Sequence, residues 1–91
     1  MKRKITIPAS GEALKKQLIE QYKLASAASL ALVDTAAHAL DLAMAAEAAI
    51  ARDGIVLGGQ RGLRAHPACT VARDARSRLI SALRALNVEF A

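Results

Sequence analysis

"SAASLALVDTAAHALDLAMAAEAAIARDG", Ser26 to Gly54, contains no proline and no glycine before its last residue. Its apolar positions Leu30, Val33, Ala37, Leu40, Met44, Ala48 and Ala51 advance by steps of three and four, the period of one face of an α-helix. Arg52 places a cation at the negative end of the helix dipole, and Gly54 just beyond supplies a left-handed cap. The stretch predicts a long amphipathic helix over 27–53.

Upstream, Leu14, Leu18, Tyr22 and Ala25, flanked by Ile19, repeat the same spacing. Ser10 is the N-cap candidate and Glu12 with Lys16 forms a favourable i,i+4 pair, which predicts a helix over about 11–24. Between the two, Ala25-Ser26-Ala27-Ala28-Ser29 offers two N-cap candidates and no breaker, so one continuous helix is the alternative. A break is favoured because a hairpin buries Leu14, Leu18 and Tyr22 against Leu40 and Met44 within one chain. Downstream, Ile55-Val56-Leu57 and Leu63-Arg64-Ala65 flank Gly58-Gly59-Gln60-Arg61-Gly62, a glycine-rich loop or small β-hairpin over 54–66. Pro67 then sits at a first helical position with His66 at the N-cap. The final helix, 67–86, carries its apolar line on Ala68, Ala72, Ala75, Leu79, Ala82, Leu83 and Leu86, and Asn87 ends it. The fold class is all-α: a helical hairpin, a loop and a last helix in one small domain over 1–91, with 1–9 a basic, flexible N-terminal arm.

The expected packing set is Leu14, Leu18, Tyr22, Leu30, Val33, Leu40, Met44, Leu79, Leu83 and Leu86, and it is thin for 91 residues. Hydrophobic residues make up 54%, yet 22 are alanine against 12 leucines, with one tyrosine, one phenylalanine and no tryptophan. Stabilisation follows buried apolar area, so such a chain gains little per residue and is expected to find further burial in copies of itself. The single cysteine, Cys69, leaves no intrachain disulfide, and His38 and His66 alone assemble no zinc spacing. No metal or cofactor is expected. The Met1-Lys2-Arg3-Lys4 start is followed by no sustained apolar segment, and the longest uncharged stretch, Leu24 to Val33, is well short of a bilayer span. These readings predict a cytoplasmic protein without a membrane partner.

Charge is segregated. Residues 1–4 carry +3, residues 5–51 carry three lysines against five acids, and residues 52–91 carry seven arginines against three acids. Arginine's planar fork suits phosphate or carboxylate, so the basic ends point to a polyanion or an acidic partner; a solvated helix face is the bland alternative. Gly58, Gly59 and Gly62 lack both the Lys-Ser/Thr of a P-loop and the dinucleotide spacing. His66 and Cys69, three apart, have no third orienting group, and Asp34 and Asp41, one heptad apart, read as solvated or salt-bridging. No catalytic residue is expected. The 13 residues from Gly54 to His66 are too many for the turn of a helix-turn-helix, and Tyr22 and Phe90 furnish no base-stacking platform. Phosphate contact by arginine clusters is what remains.

"LVDTAAHALDLAMAAEAAIARDG", a glycine-containing loop and "HPACTVARDARSRLISALRALNV" together resemble the short all-helical phage terminase small subunits, over about Asp34 to Val88. In that family the last helix opens with His or Asn followed by Pro-Ala, here His66-Pro67-Ala68. The chain departs from the family at Leu86-Asn87-Val88-Glu89-Phe90-Ala91, where members usually carry a Leu-Gly-Leu-like ending followed by proline and a polar tail, and Met1 to Leu24 matches it only in being helical. The resemblance implies a ring-forming, non-enzymatic homo-oligomer that engages double-stranded DNA and serves the large ATPase/nuclease subunit, in a phage, a satellite or a gene transfer agent. Lys2, Arg3, Lys4, Arg61, Arg64, Arg73 and Arg76 are the phosphate-contact candidates, on charge alone. A helical protein adaptor and a basic dimeric regulator or antitoxin are the competing readings.

Overall fold

A computed structural model describes residues 4–54, 56–57 and 64–90 of the chain. Three helices form the body: α1 (Gly11–Tyr22), α2 (Ala27–Asp53) and α3 (Ala68–Ala85). The Ser10 hydroxyl accepts from the Ala13 N–H at 3.2 Å, which starts α1 as its sequence predicts. Lys23 stops it in the left-handed region, φ 49°, two residues before the expected end. Ser26 then caps α2, its hydroxyl oxygen accepting from the Ser29 N–H at 3.1 Å. The break is therefore real, and 12–53 is two helices.

At the far end of α2, Gly54 takes φ 88° and ψ 158°, a positive-φ residue as expected but outside the left-handed helical region. Its N–H still reaches the Ile50 carbonyl at 2.7 Å. Strands β2 (Val56–Leu57) and β3 (Arg64–Ala65) pair antiparallel, Val56 opposite Ala65 and Leu57 opposite Arg64. The glycine-rich tip between them lies outside the described residues. Strands β1 (Lys4–Ile5) and β4 (Glu89–Phe90) pair in parallel, and Ile7 packs on the core, so residues 4–9 of the expected arm lie against the body.

Helices α2 and α3 run antiparallel. Asp53 meets His66, Glu47 meets Arg76, and Leu40 shares the core with Leu79 and Leu83, so one number falls as the other rises. Helix α1 returns along the first half of α2, with Lys15 paired to Asp34 and Gly11 against Ala37 and Asp41. Two regions result. Where all three helices meet, Leu14, Leu18, Val33, Leu40, Leu79 and Leu83 are fully buried, joined by Val88, with Tyr22, Met44 and Leu86 packed against them. Farther out, α2 and α3 touch without α1 through Ala43, Ala46, Ala72 and Ala75.

The buried line of α2 differs from the one its periodicity suggests. Ala48 and Ala51 are exposed and Leu30 is half-buried, while Ala36, Ala39, Ala43 and Ala46 are buried. The reason is composition. With alanine on nearly every face, periodicity has little contrast, and the side on which α3 lies decides which alanines are covered. By length and composition, α2 is also the one described helix apolar enough to cross a bilayer. Its carboxylates tie it to its neighbours instead: Asp34 and Asp41 to α1, Glu47 to α3.

Helix α3 ends in a cap that satisfies its last carbonyls. The Val88 N–H reaches back to the Leu83 carbonyl and the Asn87 N–H to that of Arg84, both at 2.9 Å, with Asn87 left-handed at φ 63°. Val88 and Leu83 then meet in the core, as this cap requires.

Candidate nucleic-acid interface

The junction between hairpin and α3 is held by one imidazole. His66 Nδ1 accepts from the Ala68 N–H at 3.0 Å, which leaves the ring proton on Nε2 to be donated to Asp53 Oδ2, also at 3.0 Å. Helix α3 begins at Ala68 with Pro67 at the N-cap, φ −55° and ψ −29°, one position later than expected, while the ring of His66 takes the Ala68 N–H. Asp53 also receives both the Nε–H and an Nη–H of Arg52. Arg52 first, and His66 second, hold the Asp53 carboxyl well below the usual carboxylate range. The last residue of α2 is thereby fastened to the start of α3, and the hairpin arms leave from this clamp. Because both ring nitrogens are engaged, His66 offers no base to Cys69, which is half-buried one position further on from Ala68.

The arginines divide by what holds them. Arg76 forms a two-point fork on Glu47 of α2, 2.9 Å from Nε to Oε2 and 2.7 Å from Nη2 to Oε1. That hydrogen bonding lowers the Glu47 pKa, against a smaller opposing effect of burial, and raises that of Arg76. Arg73 is exposed, and its only ion pair among the described residues is a long one, 3.6 Å to its neighbour Asp74. Arg78 and Arg84 are exposed, and no carboxylate of the described residues pairs with either. Lys2, Arg3 and Arg61 lie outside the described residues, and of Lys4 and Arg64 only the strand backbone is described.

Sequence reading did not find Glu47, or the contact between Asp41 and Gly11. Glu47 and Arg76 are 29 residues apart, and nothing local joins them. The Asp41 carboxylate accepts the Gly11 N–H at 2.7 Å, capping α1 from a different helix. The one available signal was glycine at the first turn of a helix, a costly choice unless space demands it. Asp34 and Asp41 do not pair with each other: Asp34 holds Lys15 at 3.0 Å. Among the described residues no three His, Cys, Asp or Glu side chains converge as metal ligands.

The arrangement is a helical body with an arginine-bearing helix face and a clamped hairpin. A family model described as phage terminase, small subunit, matches residues 14–88. No curated protein and no solved structure matches the chain.

Proposed function

Since the chain belongs to the phage terminase small-subunit family, we propose that it is a homo-oligomeric, ring-forming DNA-packaging adaptor. It engages viral double-stranded DNA in the bacterial cytoplasm and brings it to the large ATPase/nuclease subunit. The observation that carries the reading is the family match, which takes in α2 and α3 whole and α1 from Leu14 onward. Members of this family are generally non-catalytic DNA-binding or regulatory subunits, and the chain's role is correspondingly one of packaging.

Two features support the finer statement. Self-association suits α2: most of its apolar stretch is uncovered within one chain, and Ala31, Leu42 and Ala45 lie exposed on its outer side. Val71 of α3, 40% exposed, adds to the uncovered apolar surface. DNA engagement suits the net charge of +5 with arginines concentrated after residue 52. Lys2, Arg3, Lys4, Arg61, Arg64 and Arg73 are its proposed phosphate contacts. Arg76, also proposed from charge, must exchange Glu47 for phosphate to take part.

The test is mass in solution followed by a salt titration of duplex binding. A closed ring of many subunits that binds DNA more weakly as salt rises is the expected result. A compact single chain with concentration-independent melting overturns the reading, and a dimer favours the regulator.

A further inference from the structure

Resting on that reading, we propose that the exposed face of α3 formed by Thr70, Arg73, Ser77, Ser81 and Arg84 is the track along which the protein follows a duplex phosphate backbone. These residues step by three, four, four and three, so they share one side of the helix. All five are exposed, and none is acidic. The buried line Ala72, Ala75, Leu79, Ala82 and Leu83 occupies the opposite side.

The composition of the track matches phosphate. Arginine forks and Ser/Thr hydroxyls are among the side chains that donate to phosphate oxygens. Asp74 is the nearest competitor, but its pair with Arg73 is 3.6 Å long, between side chains 76% and 60% exposed, and such a pair gives way readily. Size decides between a small anion and a polymer. Eleven residues of helix separate Arg73 from Arg84, a rise of ~16 Å. No single phosphate reaches both arginines, whereas a duplex presents one charge per ~1.7 Å of axis. Arg78 provides the internal contrast, because it lies with Val71, Asp74 and Ala85 on a different line of the same helix, exposed and equally charged.

The experiment is fluorescence anisotropy of a random-sequence duplex across a salt series, on the assembled protein, with Arg73→Gln, Arg84→Gln, Arg78→Gln and Ser81→Glu. Arg73→Gln and Arg84→Gln should each flatten the log-log salt slope by about one unit for every contact repeated on the DNA. Ser81→Glu should abolish binding at salt where the unaltered protein binds, and Arg78→Gln should leave the slope unchanged. Light scattering and thermal melting accompany each variant. Equal effects at Arg78 and Arg84, unchanged slopes at Arg73 and Arg84, or loss of binding only through loss of assembly overturn the track and leave the packaging reading standing. No salt-dependent duplex binding by the unaltered protein overturns both.

Discussion

At Gly11 the two first helices approach so closely that a Cβ built there would meet the Ala37 carbonyl oxygen and lie 2.6 Å from Asp41 Oδ2. Glycine is present for space, since its φ lies outside the positive range. A glycine-to-alanine change inside a helix ordinarily helps, by about 1 kcal/mol. Here the clash reverses the sign: we expect Gly11→Ala to cost about 1–3 kcal/mol, as overpacking does. Melting temperature reads this directly, at about 4–8 °C per kcal/mol for a domain of this size, and a raised value would show that α1 is not seated on α2 in this way. Asn87 illustrates a second close fit. Its left-handed φ of 63° is the conformation glycine adopts at a helix end. Asn87 at this φ ends α3 without a glycine.

Between α2 and α3, past the reach of α1, the contact is made by alanines and by the Glu47–Arg76 fork. The fork should matter modestly. Both side chains are about 40% exposed, 43% and 37%, so solvent screening discounts it to about 0.5–1 kcal/mol. Arg76 lowers the Glu47 pKa on folding, so its stabilisation is present above the unfolded carboxyl value, about 4.3, and is lost as pH falls through the folded value. We expect Glu47→Gln to melt lower than the unaltered protein at pH 7 and the difference to close below about pH 4; a gap that persists in acid would assign the loss to packing. The alanine contact predicts a different failure. Ala75 is 1% exposed, and Ala75→Leu should destabilise by about 1–3 kcal/mol by forcing the helices apart. Circular dichroism melting measures it, and an unchanged midpoint would mean that the alanine contact is loose. Helix existence and order were legible at this scale because apolar spacing and the Ser10, Ser26 and Gly54 caps are local signals. The buried side of α2 was not, because alanine marks no side.

The described residues form a long, narrow body, 54 × 20 × 19 Å, with a radius of gyration of 15.6 Å where a compact chain of about this length has about 12 Å. Such a shape leaves much of a 27-residue apolar helix uncovered, which is where assembly should act. Leu42 lies on the outer side of α2, 36% exposed and away from the core. We expect Leu42→Glu to leave helix content intact while reducing the particle mass, because a carboxylate buried between copies would lack a partner. Light scattering of the variant beside the unaltered protein at the same concentrations checks this. An unchanged mass would move the interface elsewhere, for instance to Val71.

The amino-acid sequence by itself determined the three helices to within two residues at each end, most of the sparse set of bulky core residues and the basic bias of the second half, because each of these is set by neighbours within a few residues. Only the tertiary structure decided which alanines are covered, that Glu47 occupies Arg76, that Asp41 caps α1 and that Asp53 fastens His66. Those pairings join residues 13 to 30 positions apart, and their partners are chosen by the register of packed helices, which local spacing does not specify.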